Sequence, residues 1–172
     1  MAQTLEEEVN MPKHYRSHES GLEAIEITRY LIGDLSNAWK YAMRYEDKNT
    51  PKKDIKKLCW YLNDFHKNFI DENNECTVNI DVPQEIKIKM AKVIDTEPVA
   101  VVREAFQQIY TLVCEGGLII PESFLKTIDN LESYADTLNW FSTIDKPTKC
   151  KLYLTHKNKK ENNYVRINYY IN

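Results

Sequence analysis

The sequence predicts a mainly α-helical fold of the α+β class, with a compact helical N-terminal domain, further helices and a small C-terminal β-hairpin. Apolar residues recur three and four positions apart over most of the chain, which is the spacing of a helix with one buried face. Prolines stand where several of these segments begin, a position that a helix accepts well. The end of the chain differs, because 151–155 and 164–171 are rich in β-branched and aromatic residues and flank a polar segment. The predicted helices cover 22–33, 37–47, 51–70, 84–94, 99–114 and 121–141.

Start and stop signals indicate the three N-terminal helices. Gly33 is placed as a glycine stop at the end of the first helix, and Asp34 or Ser36 as the cap of the second. Thr50 followed by Pro51 is a strong start signal for the third helix, with threonine as the cap and proline at the first helical position. The buried stripe of this third helix is expected to consist of Leu58, Leu62, Phe65 and Phe69.

The pattern changes in the middle of the chain, between two groups of helices. Residues 77–82 alternate between polar and apolar side chains, which predicts a short strand. Pro83 then opens the fourth helix, and prolines open the two helices that follow. The change divides the sequence into a helical domain over 1–71 and a helical extension with the hairpin over 72–172.

Charge and composition exclude several classes of protein. The net charge is -3 and 42% of the residues are hydrophobic, which favours a packed core and argues against binding of nucleic acid by bulk positive charge. No apolar run approaches the roughly 20 residues that span a bilayer, and the acidic N-terminus lacks the pattern of a signal peptide. The four cysteines lack zinc-site spacing and are expected to be free thiols in a reducing cytoplasm. We therefore expect no membrane contact, no metal site and no nucleic acid partner.

Phosphate groups, if the chain binds them, must be held by side chains or helix ends. The sequence has only four glycines and contains neither the Rossmann nor the Walker A glycine motif.

A polar stripe on the second helix is the first candidate site. Asn37, Lys40, Tyr41 and Arg44 follow one another at helical spacing and share a face with Lys48. A lysine and a guanidinium group one turn apart can converge on a phosphate, the guanidinium through two parallel hydrogen bonds. Charged residues are also typical of a solvated helix face, although asparagine and tyrosine are poor choices there. The stripe therefore indicates either a phosphate site or a solvated surface.

Three carboxylates near this stripe each have two interpretations. Glu23 and Glu26 either stabilise the N-terminus of the first helix or form a pair that holds a sugar hydroxyl, a proton or Mg²⁺. Asp54 either caps the third helix or pairs with Arg44 or Lys40.

The nearby aromatic and histidine side chains are equally open. His14 either is an exposed loop histidine or has a functional role, in which it carries a proton near neutral pH or binds phosphate. Trp39, Trp60 and Tyr61 either belong to the core or offer surfaces on which a base can stack.

Together these strings resemble those of a known family, the SaV-like family of small bacteriophage proteins, in order and spacing over residues 11–66. The matching strings are Pro12-x-His14-Tyr15, Glu23-x-Ile25-Glu26, Asn37-x-x-Lys40-Tyr41-x-x-Arg44, Lys48 and Asp54-Ile-Lys-Lys57-x-x-Trp60-Tyr61-Leu62. One branch of that family contains a phage nucleotide kinase that phosphorylates deoxynucleoside monophosphates without a P-loop. Residues after 71 lie outside the resemblance.

The resemblance implies a nucleotide-binding phage protein in the host cytoplasm that acts as a deoxynucleoside monophosphate kinase. A nucleoside triphosphate would be the phosphate donor, and a requirement for Mg²⁺ is left open. Because a helical site with little glycine needs several helices to converge, we expect a homo-oligomer. The implied catalytic residues are His14, Lys40 and Arg44. The implied nucleotide-binding residues are Tyr15, Glu23, Glu26, Asn37, Tyr41, Lys48 and Asp54.

Two alternatives remain open beside the kinase. In one, the chain is a non-catalytic anti-defence protein that binds a nucleotide or a host protein, with the unmatched second half as a partner surface. In the other, it is a helical nucleotide pyrophosphatase, in which Glu23 and Glu26 would form part of a carboxylate set for Mg²⁺.

Overall fold

Helices dominate the computed structural model, which describes residues 18–46, 50–77, 80–114 and 120–138. In chain order the helices are α1 (Ala24–Thr28), α2 (Gly33–Arg44), α3 (Pro51–Phe69), α4 (Gln84–Thr96), α5 (Ala100–Cys114) and α6 (Pro121–Thr137). Over these ranges no strand forms, apart from an isolated antiparallel bridge between Ile70 and Cys76. The mainly helical prediction is therefore confirmed, whereas the predicted hairpin over 151–171 lies outside the described residues.

The helices that begin at a proline signal match their predicted starts closely. Pro51 is the first residue of α3 and Pro121 the first residue of α6, while Pro83 is the N-cap of α4. Thr50 takes the N-cap position of α3, although its side chain makes no capping hydrogen bond. Leu58, Leu62 and Phe65 are buried as predicted, and Phe69 packs against the core from a partly buried position.

The predicted boundary between the first two helices is wrong. α1 ends at Thr28, and Gly33 begins α2 instead of ending α1. Neither Asp34 nor Ser36 caps α2, because Ile32 holds the N-cap position and both residues lie inside the first turn. The Ser36 hydroxyl instead donates a hydrogen bond of 3.0 Å to the carbonyl oxygen of Thr28, which ties the end of α1 to the start of α2.

The predicted strand over 77–82 does not form at Thr77 or over 80–82, the part of this stretch that the structure describes. The chain makes a tight turn just before it, where the Asp71 carboxylate accepts hydrogen bonds from the backbone N–H groups of Asn73 and Glu75. Alternating side chains predict a strand only where another strand is available for pairing.

One hydrophobic core is shared by all six helices of the described ranges. α2 packs against α1, α3 and α5, and α3 packs against α6. Trp39 of α2 and Phe106 of α5 are fully buried, with ring centroids 4.5 Å apart. Buried residues come from both 1–71 and 72–172, so helices of the two predicted domains meet in this core, and their division into separate units stays a prediction.

None of the helices in the described ranges combines the length and the apolar composition needed to cross a membrane.

Glu26 joins the short helix α1 to α4. Its Oε1 atom accepts a hydrogen bond of 2.9 Å from the backbone N–H of Glu23, as part of a capping box. Its Oε2 atom accepts one of 2.9 Å from Nζ of Lys89 on α4. The backbone hydrogen bond, followed by the Lys89 hydrogen bond and charge, lowers the pKa of Glu26 from its ordinary value of 4.5.

Glu26→Gln is expected to reduce stability near neutral pH but not in acid. A lowered folded-state pKa means that the ionised carboxylate adds stability above the unfolded-state pKa, and that this stability is lost as the pH falls through the folded-state value. Urea denaturation from about pH 7 to about pH 3 should therefore show a gap between wild type and variant that closes as the pH falls. Glu104→Gln, at an exposed position on α5, is the control. A difference in stability between wild type and Glu26→Gln that stays constant with pH would contradict the stabilising role of the ionised Glu26 carboxylate.

Candidate functional site

α2 and α3 lie side by side and gather positive charge around one tyrosine ring. We use the name Tyr41 cluster for Lys40, Tyr41, Arg44, Lys57 and Tyr61. The Tyr41 ring centroid lies 4.4 Å from Cζ of Arg44, 4.8 Å from Nζ of Lys57 and 5.1 Å from Nζ of Lys40. At these distances the three cations are attracted to the electron-rich face of the ring.

Arg44 is held by a carboxylate on the neighbouring helix. Its Nε and Nη2 atoms donate hydrogen bonds of 3.2 Å and 3.1 Å to the two carboxylate oxygens of Asp54. The side chains are only 11% and 2% exposed, so the pair is largely removed from water. Of the two interpretations of Asp54, the structure shows pairing with Arg44. Arg44 therefore serves first to position α2 against α3, and much of its donor capacity is already used.

The two lysines of the cluster bind neutral partners instead. Lys40 donates a hydrogen bond of 2.7 Å to Oδ1 of Asn37, whose own Nδ2 donates to the carbonyl oxygen of Gly33. Lys57 donates one of 3.2 Å to the Tyr41 hydroxyl. Within the described ranges neither ammonium group forms an ion pair with a carboxylate. The cluster therefore holds two lysine charges that its own side chains do not neutralise.

These charges act on the Tyr41 hydroxyl. Desolvation is the largest single effect and by itself raises the pKa of this phenol. The hydrogen bond from Lys57 and the charges of Lys57, Lys40 and Arg44 act in the opposite direction and together outweigh it. The pKa of Tyr41 is therefore lowered from its ordinary value of 10.0.

Three aromatic rings, those of Tyr41, Tyr61 and Trp60, form a row that extends from the cluster to the exposed side of α3. The rings of Tyr41 and Tyr61 stack at 5.7 Å, and the Trp60 ring meets Tyr61 edge-on at 4.9 Å. Trp60 is 59% exposed, whereas Trp39 is fully buried. The structure thus assigns Trp39 to the core and leaves Trp60 available for stacking.

Beside Trp60 a groove of about 220 Å³ opens between α3 and α6. The groove is lined by Lys56, Trp60, Asn63, Asp64, Lys67 and Glu132. We call it the Trp60 groove.

A second polar cluster surrounds the buried side chain of His18. The Nδ1 atom of His18 accepts from the backbone N–H of Ser20 at 3.1 Å, so Nε2 carries the proton and donates to Glu97 at 3.3 Å. Glu97 also accepts from the Tyr45 hydroxyl and, at 2.8 Å, from the backbone N–H of Val99, just before α5. The adjoining cavity measures about 10 Å³, which is the space of about one water molecule. This cluster therefore connects the segment before α1 to the segment between α4 and α5, and it does not form a ligand site.

The sequence-predicted site residues fall into three groups. Asn37, Lys40, Tyr41, Arg44 and Asp54 come together at the contact of α2 and α3. Glu23 and Glu26 lie at the start of α1, where Glu26 contacts α4. His14, Tyr15 and Lys48 lie outside the described residues.

Lys57 was absent from the predicted site residues. Its signal was its spacing, because it lies three residues after Asp54 and four before Tyr61, on one face of the third helix. Over the described residues, no group of three or more histidine, cysteine, aspartate or glutamate side chains could hold a metal ion.

Comparison with known families gives one match. The family DUF3310, described as a protein of unknown function, matches residues 9–63, which is less than half of the chain. The comparison with curated proteins and the comparison with solved structures gave no match. The matched segment contains the whole Tyr41 cluster together with Asp54 and Trp60. Its description assigns no activity, so the resemblance to the SaV-like family stays an interpretation of the motifs.

Asp54→Ala should leave the Arg44 guanidinium largely buried without its partner. We expect the free energy of unfolding to fall by about 3 kcal/mol, as for other broken buried ion pairs, measured by urea denaturation. Asp136→Ala is the matched control, because it removes the exposed partner of Lys52 and Lys56 and should leave stability nearly unchanged. Equal small effects of both substitutions would show that the Arg44–Asp54 pair does not hold α2 against α3.

The Tyr41 hydroxyl should ionise at a lower pH than an ordinary tyrosine, because its pKa is lowered. The difference in tyrosinate absorbance between wild type and Tyr41→Phe, followed during an alkaline titration, isolates this group. We expect its midpoint below the ordinary 10.0 and expect Lys57→Met to move it upward, because that variant removes the hydrogen bond and the charge. A midpoint that does not respond to Lys57→Met would contradict the geometry of the cluster.

Proposed function

We propose that this chain binds a nucleotide and that Lys40 and Lys57 of the Tyr41 cluster hold its phosphate group. The observation that carries the proposal is the charge of the cluster. Three cations surround the Tyr41 ring, and among them Arg44 alone has a carboxylate partner within the described residues. Two positive charges remain, which matches the charge of about -1.5 to -2 on a phosphate monoester at neutral pH.

The rest of the chain favours a small anion over a polymer. The net charge of -3 argues against binding of a nucleic acid by bulk positive charge. Lys40 and Lys57 come from different helices and approach one ring from α2 and α3, so they suit a compact group with several acceptor oxygens.

The reaction we propose is transfer of a phosphoryl group to a deoxynucleoside monophosphate. An oxygen of the acceptor phosphate attacks the γ-phosphorus of a nucleoside triphosphate, the bond from that phosphorus to the β,γ-bridging oxygen breaks, and two diphosphates result. Such a step depends on positioning and on neutralising phosphate charge, which two lysines can supply without a glycine loop. Mg²⁺ that accompanies the triphosphate would contribute to the same neutralisation.

The resemblance of the motifs supports this choice of reaction. It also supports His14 as a further catalytic residue, a homo-oligomeric assembly and a setting in the cytoplasm of a phage-infected host. In this proposal Arg44 and Asp54 position the lysines, and Arg44 contributes charge at the edge of the phosphate site.

Binding measurements on lysine variants test the site. Lys40→Met and Lys57→Met should each weaken binding of deoxynucleoside monophosphates by about 10- to 100-fold, the loss expected for one charge-assisted hydrogen bond. Lys53→Met, at an exposed position one turn before Lys57 on α3, is the matched control and should bind like wild type. Calorimetric titration gives the affinities. Equal affinities for all three variants would overturn the proposed site.

Product analysis tests the reaction. Folded wild-type protein is incubated with each deoxynucleoside monophosphate and a nucleoside triphosphate, and the nucleotides are resolved by chromatography. Diphosphate products that depend on Lys40 and Lys57 support the kinase. Binding without turnover would overturn the kinase proposal and favour the non-catalytic protein that binds a nucleotide. Release of pyrophosphate from a triphosphate would overturn it in favour of the nucleotide pyrophosphatase.

A further inference from the structure

We propose that the Trp60 groove is the base-binding part of the nucleotide site and that it accepts a base with an exocyclic amino group. This inference rests on the proposed function, because it assumes that the phosphate of the same ligand class binds at the Tyr41 cluster. Four features of the groove support it: an exposed indole, a supported ring geometry, a limited volume and the polar groups on its walls.

The exposed indole offers a stacking surface. Trp60 is 59% exposed although tryptophan is one of the largest apolar side chains, and its ring lines the groove. A base stacked on an aromatic side chain contributes about 1–3 kcal/mol, and every base has a face that can stack. The exposure of Trp60 is therefore what a stacking site requires before its ligand arrives.

The ring geometry makes this surface rigid and connects it to the cluster. Tyr61 supports the indole edge-on at 4.9 Å and stacks on Tyr41 at 5.7 Å. A ligand at Trp60 and an anion at Lys57 are thus held by one continuous row of rings. A rigid platform costs less conformational entropy on binding than a mobile side chain does.

The volume fits part of a nucleotide. The groove measures about 220 Å³, whereas pockets that enclose drug-sized ligands measure about 300–1,000 Å³. A whole nucleotide would exceed it, while a single base lying on the indole would not. The groove also lacks the positive surroundings of the Tyr41 cluster, since Asp64 and Glu132 offset Lys56 and Lys67 along its walls.

The polar groups on the walls suit the edge of a base. Asn63 offers an amide donor and an acceptor, and Asp64 offers a carboxylate that accepts from an exocyclic amino group. Asp64 also faces Asp34 on α2, and after desolvation its charge is the main reason why the pKa of Asp34 is raised. An amino group that donates to Asp64 would relieve part of this repulsion. We therefore infer preference for adenine, cytosine or guanine over thymine.

Nucleosides without phosphate test the groove alone. The indole N–H signals in a ¹H–¹⁵N spectrum report on each tryptophan, and the Trp60 signal is assigned by its loss in Trp60→Phe. Titration with deoxyguanosine, deoxyadenosine and deoxycytidine should shift the Trp60 signal, and thymidine should bind at least several-fold more weakly. Trp60→Ala should weaken nucleoside binding by about tenfold or more, measured on the backbone signals around Asn63. Leu125→Ala, which removes another exposed apolar side chain, is the matched control and should bind like wild type.

Titration with pyrophosphate separates this inference from the proposed function. If pyrophosphate binds through Lys40 and Lys57 while no nucleoside shifts the Trp60 signal, the base site is overturned and the phosphate site stands. If nucleosides bind and pyrophosphate does not, the groove stands as a nucleoside site and the phosphate site fails. If thymidine binds as tightly as the nucleosides that carry an amino group, the inferred preference is overturned. If Asp64 accepts a hydrogen bond from the amino group, Asp64→Asn should abolish the preference.

Discussion

The ion pair between Arg44 and Asp54 is the interaction on which the candidate site depends. It joins the last residue of α2 to the first turn of α3, with both side chains largely out of water. Such a pair adds little net stability compared with apolar residues of the same size, because desolvation offsets most of the attraction. Its contribution here is geometric. The two hydrogen bonds hold the guanidinium group, whose Cζ atom lies 4.4 Å from the centroid of the Tyr41 ring, and so they help to position the ring around which both lysines are arranged.

The sequence predicted the parts of the fold at which several local signals indicate the same helix. α3 and α6 combine a proline at the first helical position with regularly spaced apolar residues, and both began where expected. Gly33 shows why agreement matters, since a glycine between two helices can end one or begin the next. At the observed boundary the Ser36 hydroxyl donates a hydrogen bond to the Thr28 carbonyl oxygen, eight residues away, and such a contact is not part of any local sequence signal. The alternation predicted over 77–82 gives no strand at Thr77 or over 80–82, because a strand requires a partner strand.

The candidate site was likewise predictable only in the parts that depend on local sequence. Lys40, Tyr41 and Arg44 lie on one helix, so their common face follows from helical spacing. The partnership of Lys57 with Tyr41 depends on how α2 meets α3, and the exposure of Trp60 depends on where α6 lies. The hydrogen bond between His18 and Glu97 joins residues that are 79 positions apart in the sequence, and it was not predictable at all. Sequence alone therefore gave the residues that share a helix, and the structure supplied the residues that meet from different helices.

Three faces of α3 contribute to the core, to the Tyr41 cluster and to the Trp60 groove. At about 100° per residue, residues three and four apart share a face, and three groups of α3 side chains point in different directions. The first group, Leu58, Leu62 and Phe65, lies in the core, and the second, Asp54, Lys57 and Tyr61, meets α2. The third group, Lys56, Trp60 and Asn63, lines the groove beside α6. A rotation of α3 about its axis would move the second and third faces together. Because Asp54 belongs to the face that meets Arg44, the same ion pair that orients Lys57 also sets the direction of Trp60. In the proposal, the phosphate site and the Trp60 groove are therefore aligned by one buried contact, which would let a site without a glycine loop hold the phosphate and the base of one nucleotide together.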